Sequence, residues 1–228
     1  MPDINYADYI IGMHHINYLD RYFKHSIGLF NQNFSSINKI REEVLSKQIR
    51  TKFCAAVISN CNELYKFRLN FIYKLNQYKK VDMGGKCMNN VGGRVSDKKK
   101  FLSKYKFSIA MENSDGDGYL SEKIIDSFLS GTIPIYYGDY MLDEFINPKT
   151  YILIKDDKDM DKKIEYIKKI DNDMNLYKSI MKEKPIFNEK ITYRNYKNEI
   201  YSFMKNIFSQ DKKLAFRRDN NYYDYNCK

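Results

Sequence analysis

The chain has 228 residues with a formal net charge of +10, and 43% of its residues are hydrophobic and 15% aromatic, which is enough apolar material for a real core. No run approaches the roughly 20 apolar residues of a membrane span, and the N-terminus does not resemble a signal peptide. We therefore expect a soluble, cytoplasmic chain without a transmembrane segment. The positive charge is mostly lysine scattered among other residue types, a bias expected of an AT-rich genome, which argues against a nucleic-acid-binding patch.

The amino-terminal part of the chain alternates strand and helix patterns. Ser36 is a good N-cap, and a glycine pair at 84–85 indicates a turn. Apolar periodicity predicts a strand over 9–16, a helix over 36–46, a strand over 53–59, a helix over 65–77 and a short strand at Val81.

The segment 107–138, FSIAMENSDGDGYLSEKIIDSFLSGTIPIYYG, reads as a strand, a polar glycine-bearing loop, a helix and a second strand. Ser121 is the predicted N-cap of the helix, and Gly131 ends it. Lys123 falls in the first turn, where a positive charge opposes the helix dipole by about 0.3–1 kcal/mol unless an anion is bound there. We interpret Lys123 as the counter-charge of a bound anion, with a solvated first-turn lysine as the alternative.

The carboxyl-terminal part continues the alternation. The charged block 155–184 mixes acids and lysines and indicates the solvated face of a helix, with Ile164, Ile167 and Ile170 turned inward. Strands separated by helices favour an α/β fold, a Rossmann-like parallel sheet covered on both faces. The predicted elements are a helix over 141–145, a strand over 151–154, a helix over 158–170 and a helix over 196–209.

Three motifs in the central segment carry a family resemblance: ENS at 112–114, GYLSEK at 118–123 and GTIPIYYG at 131–138. Together they resemble the donor-binding motif of the α-1,3/1,4-fucosyltransferases, glycosyltransferase family ten, in which threonine is usual at the position of Ser121. Further matches occur in the family's order and extend the resemblance over residues 2–155. They are DYIIGMHHINYLDRYFKHSIGLF at 8–30, SNCNELYKFRLNFIYKL at 59–75 and VDMGGKCMNN at 81–90.

The resemblance implies the C-terminal nucleotide-sugar domain of a GT-B glycosyltransferase with a remnant of the N-terminal domain. We expect residues 1–50 to be that remnant, an acceptor-domain portion with a linker. Residues 51–210 would be the Rossmann-like domain that binds GDP-fucose, and 211–228 a basic, tyrosine-rich tail.

The resemblance also implies which side chains bind the donor. Lys123 and Arg68 are expected on its diphosphate, because a guanidinium can bind two phosphate oxygens at once. Arg94 is the alternative to Arg68, since the segment that precedes Arg68 is longer than in relatives.

Other donor-binding residues follow from the same motif. Asn113 and Ser114 end a predicted strand at the carboxyl edge of the sheet, where parallel sheets bind ligands, although short polar side chains also form turns. Tyr119 is expected to contact the donor, with generic burial as its alternative. Glu122 is expected to accept hydrogen bonds from sugar or ribose hydroxyls, or else only to favour a helix start. Glu112 holds the loop in shape in one interpretation.

No metal site is predicted. Asp115 and Asp117 could bracket a divalent cation, but the loop is also an ordinary glycine-aspartate turn, and GT-B enzymes use cationic side chains instead. His14 and His15 would point to opposite faces of a strand, which does not favour a metal pair.

The cysteines are a separate question. Four are present, and they have no zinc-like spacing, so we expect free thiols.

The implied reaction is transfer of L-fucose from GDP-fucose to a glycan hydroxyl with inversion, a step in protein glycosylation or glycan biosynthesis. An N-acetylglucosamine-containing glycan is the candidate acceptor. The family's general base, a glutamate, lies upstream of the part that this chain resembles, so we expect no catalytic base here. Two alternatives stay open: a non-catalytic nucleotide-sugar binding module and a basic polyanion-binding domain.

Overall fold

The computed structural model describes residues 7–16, 18–25, 35–47, 49–62, 66–113, 116, 118–139, 142, 146–186 and 193–217. The strands are β1 (Ile10–Gly12), β2 (Tyr22–Lys24), β3 (Lys52–Ala56), β4 (Val81–Met83), β5 (Tyr105–Met111), β6 (Ile133–Tyr137) and β7 (Ile152–Leu153). The helices are α1 (Ser35–Lys47), α2 (Lys66–Tyr78), α3 (Lys98–Leu102), α4 (Lys123–Leu129), α5 (Asp157–Asn172), α6 (Met174–Lys182), α7 (Tyr193–Ser209) and α8 (Lys212–Ala215).

Five parallel strands form the main sheet, in the order β4-β3-β5-β6-β7. β5 is the middle strand, and all seven of its residues are buried, because helices cover both of its faces. β1 and β2 form a separate parallel pair. The prediction of a Rossmann-like parallel α/β fold is confirmed.

Side chains alternate between the two faces of the sheet. Phe107 and Met111 of β5 join one core cluster, together with Phe71 of α2. Ala110 of the same strand belongs to a second cluster, together with Phe128 of α4. On the first face the predicted inward stripe of α5 is confirmed, since three isoleucines are at most 6% exposed: Ile164, Ile167 and Ile170.

Helix α1 lies inside the predicted remnant 1–50 but packs against the helices of the main sheet. The buried Arg41 donates hydrogen bonds to the carbonyl oxygens of Ile180 (2.7 Å) and Met181 (3.1 Å) in α6. Burial lowers the pKa of the Arg41 guanidinium to about 10. The proposed boundary at residue 50 stays a prediction.

Several short elements differ from the predictions. The strand expected over 9–16 has only three residues, because the chain leaves its pairing with β2 after Gly12. The helix expected over 141–145 lies outside the described residues except for Leu142. α3 and α6 were not predicted, and α6 begins where the Asp173 carboxylate accepts hydrogen bonds from the backbone N–H groups of Asn175 and Leu176.

The expectation of free thiols is wrong for two cysteines. Cys61 and Cys87 form a disulfide, since the parallel pairing of β3 with β4 brings together the loops that follow these strands. Cys54 is a buried free thiol inside β3, and burial raises its pKa. Cys227 lies outside the described residues. Among the helices that the structure describes, none has the length and apolar character to cross a bilayer.

Candidate functional site

The sheet has one topological switch point, between β3 and β5. From β3 the chain crosses to β4 on one side, then passes back over β3 to reach β5 on the other side. The loops that leave the carboxyl ends of β3 and β5 therefore diverge, and open parallel sheets bind ligands in such a crevice. A cavity of about 240 Å³ lies there. Its described lining is Val57, Ile58, Ser59, Asn60, Arg68, Lys98, Ile109, Met111, Asn113 and Lys123.

The cavity has an apolar wall from the two strands and a cationic rim. Three of its described lining residues are positively charged, and none is acidic. Such a cavity suits a ligand with a flat apolar part and a negatively charged part.

Arg68 crosses the gap between the two loops. It lies in the first turn of α2 and is only 3% exposed. Its Nη1 donates to Oδ1 of Asn113 and its Nη2 to the carbonyl oxygen of Asn60, both at 2.5 Å. These two bonds fix the guanidinium plane in the cavity wall, so Asn113 orients Arg68 as well as lining the cavity.

Lys123 is held on the other side of the cavity by a buried carboxylate. The ammonium of Lys123 donates to Oε2 of Glu112 and to Oγ of Ser121, at 3.0 Å in the second case. The Glu112 side chain is 0% exposed, and its Oε1 also accepts from the backbone N–H (2.8 Å) and the hydroxyl (2.6 Å) of Ser121. Glu112 thus fixes the loop after β5, in agreement with the interpretation that it holds this loop in shape.

The predicted start of α4 needs a correction. The helix begins at Lys123 with Glu122 as the N-cap residue, and the carboxylate of Glu122 makes no capping bond. Ser121 was the predicted N-cap, but its hydroxyl donates to Glu112 and accepts the Lys123 N–H only at 3.4 Å. The nearby buried carboxylate is the stronger partner for that hydroxyl.

The remaining predicted site residues lie outside the cavity lining or outside the described residues. Tyr119 is half-buried and Glu122 is exposed, and neither belongs to the described lining. Arg94, the alternative to Arg68, is exposed in the loop before α3 and is not in that lining either. The prediction for Ser114 falls on a residue that the structure does not describe.

Two glycines allow the loop after β5 to pack closely. Gly118 has φ +78°, and a Cβ there would lie 1.7 Å from the carbonyl oxygen of Met13. Gly138 has φ +154°, and a Cβ there would lie 2.7 Å from Cγ of Glu112. Any side chain at either position would push the loop or Glu112 away from its place.

His15 ties the amino-terminal segment to this loop region. It lies beyond β1, so the strand predicted over 9–16 does not extend to His14 and His15, and the argument about opposite faces of a strand does not apply to them. Nε2 of His15 is 2.9 Å from Oδ2 of Asp139, and Nδ1 of His15 is 2.6 Å from Nζ of Lys24. A Lys24 ammonium donates to Nδ1, so Nε2 carries the proton given to Asp139.

The described residues contain no group of three or more histidine, cysteine, aspartate or glutamate side chains that could hold a metal ion. Asp115 and Asp117, the alternative metal ligands, lie outside that part of the chain.

Lys98 and Asn60 are two residues of the described lining that were not predicted as site residues. Lys98 belongs to a lysine run that reads as a solvated surface, and only the packing of α3 against α4 brings it to the cavity. Asn60 contributes a backbone carbonyl, which no sequence signal marks.

A family comparison matches this site. The profile described as glycosyltransferase family 10 (fucosyltransferase), C-terminal part, matches residues 47–212. The chain belongs to this family. The matched region contains every described residue of the cavity lining.

Individual relatives agree with the family. The chain is 30% identical to the alpha-(1,3)-fucosyltransferase FucT of Helicobacter pylori over 92% of its own length and 51% of that enzyme. It is 29% identical to alpha-(1,3)-fucosyltransferase B of Drosophila melanogaster over 55% of its length and 32% of that enzyme. The chain therefore spans about half or less of these relatives.

A solved structure shares the fold. A crystal structure of an alpha1,3-fucosyltransferase with GDP-fucose superposes with a TM-score of 0.78 at 29% identity, over 96% of this chain and 74% of that one. The GT-B assignment of the fold is thus confirmed. GDP-fucose is the ligand of that protein.

Proposed function

We propose that this chain binds GDP-fucose at the switch point between β3 and β5 and acts in transfer of L-fucose to a glycan hydroxyl with inversion. One observation carries the proposal: in a family-10 chain, Arg68 and Lys123 line the same cavity at the carboxyl edge of the parallel sheet. The likeness to a fucosyltransferase with GDP-fucose supports the choice of donor. An N-acetylglucosamine-containing glycan is the proposed acceptor class.

The two cations act on the leaving group. When the acceptor oxygen attacks the anomeric carbon, the bond from that carbon to the phosphate oxygen breaks, and its electron pair stays on GDP. A general base takes the proton of the acceptor hydroxyl, a role for which we propose no residue of this chain. Arg68 donates in a plane to phosphate oxygens and Lys123 supplies a point charge, so both stabilise the charge that develops on GDP.

Further donor contacts are proposed for four residues. Asn113 lies in the cavity wall and orients Arg68. Ser114, Tyr119 and Glu122 belong to the same motif and are proposed to contact the fucose or ribose hydroxyls. No bound divalent cation is proposed.

GDP binding tests the donor site directly. Ligand at about 100 times its dissociation constant adds about 2.7 kcal/mol of stability. For a chain of this size, that corresponds to a rise of about 5–10 °C in the thermal midpoint. We expect this rise with GDP, and none with a matched concentration of inorganic phosphate.

Variants connect the rise to the two cations. Arg68→Lys keeps the charge but loses the planar fork, and Glu112→Gln with Lys123→Met removes the lysine together with its buried partner. Both should lose most of the GDP response, measured from the midpoint of each ligand-free variant. Lys74→Met is the control, because Lys74 pairs with Asp161 on the outer surface. A full response in both site variants would refute the assignment.

Turnover is measured separately, as release of GDP from GDP-fucose with and without an N-acetylglucosamine-containing acceptor. Acceptor-dependent GDP release supports the transferase. Binding of GDP-fucose without acceptor-dependent release, even when an upstream segment that carries the family's general base is added, would instead favour the nucleotide-sugar binding module.

A further inference from the structure

The cavity has a third cation that neither the family motif nor the sequence pattern marked. Lys98 is the first residue of α3, and its side chain is 30% exposed at the cavity rim. Arg68 and Lys123 enter from α2 and α4, whereas Lys98 enters from a separate element. Its position therefore adds a third positive charge to the described cavity lining.

In this structure Lys98 is paired with Asp126, and breaking that ion pair should cost little free energy. Its Nζ is 2.8 Å from Oδ2 of Asp126 in α4. The Nζ of Lys99 is 3.6 Å from the other oxygen of the same carboxylate. If Lys98 turns away, Asp126 keeps Lys99, so no buried carboxylate is left without a cation.

The charge of the nucleotide gives this third cation a role. GDP-fucose carries about two negative charges near neutral pH. GDP carries about three, because its terminal phosphate is not esterified to the sugar and can ionise a second time. Arg68 and Lys123 are the two cations proposed for the donor, and the Glu112 carboxylate offsets part of the charge of Lys123. The extra charge of the product requires one more cation if it is to be neutralised.

We propose that Lys98 turns from Asp126 to the terminal phosphate and so favours bound GDP over GDP-fucose. This inference rests on the proposed function. Lys98 is thus a binding residue for the leaving diphosphate, and Asp126 is the group that holds its ammonium when the cavity is empty. A solvated lysine that only pairs with Asp126 would make no such distinction between the two nucleotides.

Lys98→Met and Lys99→Met form a matched pair that tests the inference. Each removes one charge and one contact to Asp126, but only Lys98 lines the cavity. By calorimetry, we expect Lys98→Met to weaken GDP about tenfold, the equivalent of one charge-assisted hydrogen bond, and GDP-fucose less. Lys99→Met should change neither. If Lys98→Met and Lys99→Met change the affinities for GDP and GDP-fucose to the same extent, the inference is overturned.

A second pair covers the case in which Lys98→Met does not fold. Asp126→Asn leaves Lys98 in place, and Asp126→Asn with Lys98→Met removes both charges. The double variant should bind GDP about tenfold more weakly than the single variant. Unchanged GDP affinity between them overturns the role of Lys98. If the wild-type chain itself gives no GDP response, the proposed function fails instead, so the two failures are distinguishable.

Discussion

Replacing Lys123 should destabilise the fold as well as the donor site, because its partner Glu112 is completely buried. In Lys123→Met, the Glu112 carboxylate keeps its two bonds to Ser121 but loses its cation. Removing one partner of a buried ion pair costs about 3–5 kcal/mol. The retained bonds and the 25% exposure of the Lys123 side chain place this case near about 3 kcal/mol.

A double-mutant cycle isolates this cost. The paired change of Glu112→Gln with Lys123→Met removes both charges, and the glutamine carbonyl can still accept from Ser121. We expect the paired variant to be about 2 kcal/mol more stable than the sum of its two single changes predicts. The measurement is urea unfolding of the four proteins, followed by circular dichroism.

The GDP response provides the second half of the same experiment. Glu112→Gln keeps the lysine and frees its ammonium, so it should retain the midpoint rise with GDP, whereas the paired variant should lose it. Strictly additive unfolding energies would refute the view that Glu112 and Lys123 are coupled. Retention of the GDP response in the paired variant would refute the role of Lys123 in the cavity.

Asp171→Asn should lower the unfolding free energy by about 3 kcal/mol at pH 7. Burial raises the pKa of Asp171, but hydrogen bonds from Lys106 and Lys79 outweigh burial and hold the pKa below its ordinary value. Stability from this carboxylate is therefore present above its unfolded pKa and lost as pH falls through the folded pKa. The difference in unfolding free energy between wild type and variant, measured by urea unfolding, should therefore narrow below about pH 4. A difference in unfolding free energy that does not change with pH would contradict this role of the Asp171 carboxylate. Changing Cys61 and Cys87 to serine should cost about 3 kcal/mol, because the disulfide closes a separation of 26 residues. Reduction with dithiothreitol should lower the unfolding free energy of the wild-type chain by the same amount and leave that of the serine variant unchanged. An equal loss of stability in both proteins would argue against the disulfide.

The long periodic elements could be predicted from sequence because their periodicity is local. The stripe in α5 and the apolar run of β5 each carry their own signal, and both elements lie where expected. The predicted βαβ unit over 107–138 also places Lys123 in the first turn of a helix, where the structure has it. These signals depend on neighbours within one or two turns of the same segment.

The shorter features depend on contacts between distant segments and could not be predicted. α3 has five residues, and Lys98 reaches the cavity only because α3 packs on α4. Cys61 and Cys87 meet only because β3 pairs with β4. The start of α4 was misplaced for a more local reason, because the N-cap rule did not include the nearby buried carboxylate of Glu112.

The three cations of the described cavity lining differ in the partner that each would lose if it turned to a ligand. Arg68 is oriented in part by the neutral amide of Asn113, and Lys98 shares Asp126 with Lys99. Lys123 is the partner of a fully buried carboxylate, so leaving it is the most costly of the three movements. A diphosphate should therefore approach Lys123 while that ion pair stays intact, and draw Lys98 toward itself. Because Lys98 is the cation that moves toward the extra charge of GDP, its removal should affect GDP more than GDP-fucose.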